Sequence, residues 1–190
     1  MHDKHILIVG GTGMLKQTVL MFAEQNCKLS VIARHHSRMN QLLEKAGAAS
    51  DKINPMIVDY LNLQELDDLL EMAIEKFGRF SSVISWIHGP ENPAHITISG
   101  KCESSQEPIP YYILKGSASY NPKKVNSELT VKLAALPNIA LHEIILGFMV
   151  EGTKSRWLTN REISMGTFLA VQNKFKSCVI GQIEPWELKP

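Results

Sequence analysis

The sequence predicts an α/β fold, a single doubly wound parallel sheet of about seven strands between two layers of helices, αβα. Three observations predict it. Apolar runs of strand length alternate with amphipathic, helix-length stretches through the first half of the chain. Those apolar runs lack polar alternation, as expected of strands covered on both faces. The first of them, His5-Ile6-Leu7-Ile8-Val9, breaks at Gly10-Gly11-Thr12-Gly13, and a helical pattern begins at once and continues to residue 25.

After that helix, residues 28–33 read as the second strand, with Leu29, Val31, Ile32 and Ala33 supplying its apolar content. The basic turn Arg34-His35-His36-Ser37-Arg38 follows, then a short helix over 39–46 that Gly47 stops. Residues 53–58 form the third strand, ending in Asp59-Tyr60. Asn62-Leu63-Gln64-Glu65 is a capping-box pattern, and the apolar residues behind it recur with a helical period as far as Phe77, before Gly78. Residues 80–87 read as a fourth strand. The stretch 89–110, with Pro90, Pro93, Pro108 and Pro110, reads as a long connection. A fifth strand is expected over 111–117, a helix from Pro122 to Leu136, a sixth strand around 142–146, a capped helix from Thr159 to about residue 174 and a short last strand over 178–181.

A chain of 190 residues is expected to form one domain, spanning 1–190, with one sizeable core. Its 44% hydrophobic and 21% charged residues are ordinary for a soluble globular protein. A net charge of +1 offers no electrostatic case for nucleic acid or an anionic membrane surface. No apolar run has transmembrane length. Cys27, Cys102 and Cys178 are odd in number and widely spaced, which fits reduced thiols and a cytoplasmic protein. The histidines lack zinc-type spacing, so no metal site is expected.

The chemistry starts at the glycines. A helix N-terminus presents backbone N–H groups without intrahelical partners, together with the positive end of the helix dipole. Strand, glycine turn and helix place that end under a phosphate, and Gly10, Gly11 and Gly13 have no Cβ to obstruct a pyrophosphate. A tight βα turn without a ligand is the competing reading. Ligands of open parallel sheets sit beyond the carboxyl ends of the strands. On that rule residues 10–15, the turn at Arg34 and Arg38, Asp59-Tyr60, and Ser85, Trp86 and His88 all face one crevice. NAD-selective sites place an acid at the end of the second strand. Here no Asp or Glu occurs between Gln25 and Gln41, and Arg34 and Arg38 stand there instead. Guanidinium groups at that position suit the 2′-phosphate of NADP.

With these residues in view, the chain resembles the short-chain dehydrogenase/reductase superfamily and its Rossmann-like fold. Gly10-Gly11-Thr12-Gly13-Met14-Leu15 is similar to the family's glycine fingerprint, with Lys16 where a third glycine is usual. Asp59 is similar to the family's adenine-contacting Asp. Ser85-Trp86-Ile87-His88 occupies the place of the NNAG motif and departs from it. Gly116-Ser117-Ala118-Ser119 resembles the fifth-strand end that carries the catalytic Ser. The chain is similar to a divergent bacterial group sharing the GGTGML start and an SRWLT segment, and looks shortened between strands four and six.

The resemblance implies strand order 3-2-1-4-5-6-7, an NADP cofactor (NAD being the alternative), a small carbonyl or alcohol substrate and a possible homo-oligomer. Its Ser-Tyr-Lys chemistry maps to Ser117, Tyr120 and Lys124, though Ser119 directly precedes Tyr120 and Pro122 falls between Tyr120 and Lys124. His88 is an alternative proton donor. The second match to the Tyr-Lys spacing, Tyr111 and Lys115, lies in a predicted strand, where residues four apart stand about 13 Å from each other. Two functions follow: an NAD(P)-dependent oxidoreductase, or an NAD(P)-binding sensor or interaction protein without turnover.

Overall fold

In a computed structural model, residues 4–88, 93–102, 107–116, 128–152 and 154–190 are described. Seven parallel strands form one sheet in the order β3-β2-β1-β4-β5-β6-β9. They are β1 (His5–Val9), β2 (Lys28–Ala33), β3 (Ile53–Ile57), β4 (Ser82–Ser85), β5 (Ile109–Gly116), β6 (Ile139–Leu146) and β9 (Ser177–Ile180). The order reverses between β2 and β4 on either side of β1, which opens a crevice at the carboxyl end of β1. That is the topology expected for the seven sheet strands in chain order.

Side-chain alternation along β1 builds two cores. Ile6 and Ile8 face one side, with Val19 and Phe22 of α1 (Lys16–Glu24), Met39 and Leu42 of α2 (His36–Ala46) and Ile163 of α6 (Asn160–Gln172). Leu7 and Val9 face the other, with Leu66 and Leu70 of α3 (Leu63–Phe77), Ile98 of α4 (Ala94–Gly100) and Leu133 of α5 (Glu128–Ala134). All five residues of β1 are buried, so this strand reads as an unbroken apolar run for the reason the sequence suggests.

The caps fall where the spacing places them. The Asn62 side chain accepts from the Glu65 N–H, while Glu65 takes its bond from the Asn62 side-chain amide. Thr159 and Glu162 form the full reciprocal box. Arg156 adds a two-bond contact to Glu162, both at 2.9 Å, and this holds the Glu162 carboxyl well below its usual range, at about 2.

Two regions differ from expectation. The stretch 89–110 contains helix α4, where Ala94, His95 and Ile98 are buried against the sheet; burial overrides the weak helix propensity of Ile96-Thr97-Ile98. After β6 the chain makes an antiparallel hairpin, β7 (Phe148–Glu151) and β8 (Lys154–Trp157), and Phe148 bridges to Gln182 of the C-terminal segment. The expected opening of a helix at Pro122 lies outside the described residues; α5 begins at Glu128.

Candidate functional site

The glycine turn assigns its glycines different work. Gly10 sits at φ +83°, a backbone conformation that only glycine adopts freely. A Cβ on Gly11 would stand 2.5 Å from Val31 Cγ1 and 3.0 Å from Val19 Cγ2, so this glycine lets α1 close onto β2. It does not clear a path for phosphate, contrary to the expectation for all three glycines. A Cβ on Gly13 would meet nothing nearer than the Gly10 carbonyl at 3.9 Å, so this position is the open one. Leu15 is fully buried in the core. Ser164 of α6 braces the turn by donating to the Met14 carbonyl, while Thr18 of α1 donates to the Ser164 carbonyl.

Helix α1 begins directly behind this turn without a side-chain cap and with no acid in its first turn, whereas α3 and α6 both carry a Glu there. The first turn of α1 therefore offers no acid of its own to the N-terminal donors and dipole, the electrostatic setting a phosphate requires. A cavity of about 190 Å³ opens in front of it. It is lined by Gly10, Thr12, Gly13 and Met14 of the glycine turn, by Arg34, His35 and Arg38 of the basic turn, and by Tyr60, Trp86 and His88. Three loops that are remote in sequence thus meet at the carboxyl ends of β1 to β4, and the open glycine shares the cavity with a basic turn. These residues fit a dinucleotide phosphate.

Among the expected residues, Asp59 does not line the cavity but neighbours Arg34, which does. Its carboxylate accepts from the Leu61 N–H at 3.1 Å and lies 3.8 Å from the Arg34 guanidinium, a solvent-exposed pairing. Ser85 is fully buried at the end of β4. The His88 N–H donates to the Tyr60 hydroxyl at 3.3 Å, and the Trp86 and His88 rings meet edge to face, 5.0 Å between centroids. Ser117, Tyr120 and Lys124 lie outside the described residues. His35 and Val58 also line the cavity without having been singled out; Val58 is signalled only as the last apolar residue of the third strand pattern.

Tyr111 and Lys115, the second match to the family spacing, go to separate partners. The Tyr111 hydroxyl is buried, shares a 2.9 Å hydrogen bond with His95 Nδ1, and is pushed by burial well above the ordinary phenol range. Lys115 is bound by Glu143 and donates to Thr130 at 3.1 Å. A phenol so buried cannot act as an acid near neutral pH. Burial also pushes the Cys102 thiol up to about 12, which makes it inert as a nucleophile. Among the described residues no group of His, Cys, Asp or Glu is placed to hold a metal ion, and no helix is long and apolar enough to cross a membrane.

Comparison with known proteins matches residues 4–85 to the family model described as short chain dehydrogenase. No curated protein matches the chain. Among solved structures, a short-chain type dehydrogenase/reductase from Mycobacterium marinum superposes with a TM-score of 0.71 at 16% identity, covering 94% of this chain and 93% of that one. A short chain dehydrogenase from Bacillus anthracis gives 0.73 at 14% identity, with 95% of each chain covered. An NADH-dependent reductase complexed with NAD gives 0.69 at 13% identity, again with 95% of each covered. These identities bear on the fold alone, whereas the family match covers the glycine turn, the basic turn and the end of β4. Residues 4–85 are thus similar to the short chain dehydrogenase family, and the sheet order over the described residues is the Rossmann-like one these structures share.

Proposed function

We propose that this protein is an NAD(P)-dependent oxidoreductase, with NADP preferred, acting on a small carbonyl or alcohol. The observation that carries the reading is that the open Gly13, ahead of the uncapped α1 N-terminus, lines one cavity together with Arg34 and Arg38. When bound, the cofactor supplies or accepts the hydride. The backbone of residues 12–15 holds the pyrophosphate. Arg34 and Arg38 hold a 2′-phosphate, which their planar forks can meet with paired hydrogen bonds. Asp59 and Tyr60 border the adenosine. Trp86, directly after β4, borders the cofactor, whereas Ser85 at the strand's end is fully buried and does not line the cavity. Ser117, Tyr120 and Lys124 are assigned the proton transfer, with His88 as the alternative donor. A chain acting as one domain, in the cytoplasm and as a homo-oligomer, belongs to the same reading; its three free cysteines favour a reducing compartment.

The test is calorimetric titration with NADPH and NADH, followed by absorbance at 340 nm during incubation of NADPH with a panel of aldehydes and ketones. NADPH is expected to bind about tenfold more tightly than NADH, the effect of one charge-assisted contact. Equal affinities, or a preference for NADH, overturn the NADP assignment and leave NAD as the cofactor. Binding of either without consumption favours the second reading, a sensor or interaction protein. The Trp86 and His88 side chains standing at the family's NNAG position are the observation behind that alternative.

A further inference from the structure

The peptide joining Met14 to Leu15 leads directly into α1. Leu15 is the N-cap of that helix, and its carbonyl takes the first bond of the helical ladder, from the Val19 N–H at 3.0 Å. The Met14 carbonyl therefore stands one residue outside the ladder. Its hydrogen bond comes from another helix: the Ser164 hydroxyl of α6 donates to it. A trans peptide is planar, and its C=O and N–H point opposite ways. A grip on the Met14 carbonyl thus fixes the direction of the Leu15 N–H, which is turned away from the Ser164 hydroxyl. That N–H has no hydrogen-bond partner among the described residues, and Met14 lines the cavity together with Gly13.

The anchor itself is well held. Ser164 and Thr18 are both buried, and the Thr18 hydroxyl donates to the Ser164 carbonyl at 3.0 Å. Two hydrogen bonds therefore run in opposite directions between α1 with its turn and α6. Nearer its start, α6 is fixed by the reciprocal box of Thr159 and Glu162, and Arg156 ties Glu162 to Glu151 of the β7–β8 hairpin. The two hydroxyl bonds differ in what they touch. Thr18 joins helix to helix, whereas Ser164 reaches past α1 to the turn.

We propose that Ser164 is a positioning residue for the dinucleotide, acting through the Met14 carbonyl to aim the Leu15 N–H at the pyrophosphate. This rests on the reading of the glycine turn as the pyrophosphate site and adds a residue, 150 positions further along the chain, that sets its geometry. The pyrophosphate is common to NADPH and NADH, so Ser164 governs affinity for both and leaves their ratio alone.

Titration calorimetry of the full chain with NADPH and with NADH, beside thermal melts, tests it. Ser164→Ala should weaken both dinucleotides by about tenfold, the effect of one misaligned hydrogen bond to a charged group. Thr18→Val removes the companion bond with little change of shape and should leave both affinities within about twofold of wild type. Each variant should lower the melting temperature by about 2–4 °C, the loss of one buried hydrogen bond. Ser164→Cys keeps a weak donor at the same place, so it carries the test where Ser164→Ala fails to fold; it should weaken both dinucleotides by only about threefold. Equal loss of affinity in the Thr18 and Ser164 variants, or no loss in the Ser164 variants, makes the serine a packing residue and overturns the proposal while the dinucleotide reading stands. A loss confined to NADPH also overturns it. A wild-type protein that binds neither dinucleotide removes the reading itself and the proposal with it.

Discussion

The two halves of the sheet's carboxyl edge treat their charged groups in opposite ways. On the β1–β3 side the cations face solvent: Arg34 is 57% exposed and only 3.8 Å from Asp59, and Arg38 lines the cavity. On the β4–β6 side, among the described residues, Lys115 and His95 are turned inward. Lys115 is 15% exposed and bound by Glu143 and Thr130, and His95 is buried against Tyr111. Charge left in solvent beside an uncapped helix can act on a ligand. Charge engaged within the fold contributes to structure and makes its removal costly. The difference predicts that substitutions in the first region change binding, whereas those in the second change stability.

The sharpest way to break the comparison is Gly13→Asp. The position is sterically open, so the fold should survive, but a carboxylate would sit where phosphate belongs. Dinucleotide affinity should fall by about a hundredfold or more, with the melting temperature nearly unchanged. Calorimetry showing unaltered affinity in the folded variant would remove the glycine turn from the site.

The opposite region is tested by acid. Burial, with the nearby Lys115 ammonium adding to it, pushes His95 down to about 4, and its Nε2 has no hydrogen-bond partner among the described residues. The folded state therefore binds this proton less readily than the unfolded chain, whose histidine titrates near 6.5. Stability from this group is complete above pH 6.5 and is lost as pH falls toward 4, by about 3 kcal/mol in all. His5, also pushed down chiefly by burial, acts in the same direction. Urea denaturation at a series of pH values should show the decline, and His95→Gln should flatten it. An unchanged slope in that variant would assign the acid sensitivity elsewhere.

Gly11 and Gly13 sharpen the comparison within a single turn. Gly11→Ala drives a methyl into Val31 and Val19 and should cost about 1–3 kcal/mol by chemical denaturation. Gly13→Ala has no such neighbour and should cost under about 0.5 kcal/mol. Equal losses at the two positions would show that the turn does not separate packing from binding.

Such a distinction between glycines two residues apart is invisible in sequence, since it depends on which way each Cα faces. What was legible was local. The apolar run before Gly10, the caps at Asn62 and Thr159, and the acid-free turn at Arg34 each announce themselves within a few residues. Helix α4 was hidden because Ile96-Thr97-Ile98 reads as strand or loop and is made helical by the burial of Ala94 and Ile98. The hairpin β7–β8 turns at Gly152, whose φ of +65° suits glycine, a mark too short to distinguish a hairpin from a loop in sequence. The partnership of Lys115 with Glu143 joins neighbouring strands far apart in sequence, and no local pattern marks it.

The smallest effect on stability is expected at Arg34, and it separates the two regions most cleanly. Arg34 and Lys115 are both cations within reach of a carboxylate at the same edge of the sheet. Exposed pairs at the distance of Arg34 and Asp59 contribute about 0–1 kcal/mol, so Arg34→Ala should leave the denaturation midpoint almost where it was. It should nevertheless erase most of the expected tenfold preference for NADPH over NADH, because the guanidinium's partner is then the 2′-phosphate and not the protein. Lys115→Met should do the reverse. It strands Glu143 partly buried, costs about 1–2 kcal/mol after allowance for solvent, and leaves the NADPH-to-NADH ratio alone. Replacing both partners, Lys115→Met with Glu143→Leu, should recover most of that loss. If Arg34→Ala destabilises the fold as much as Lys115→Met, or leaves the cofactor ratio intact, the basic turn is a structural feature and the contrast between the two halves of the edge fails.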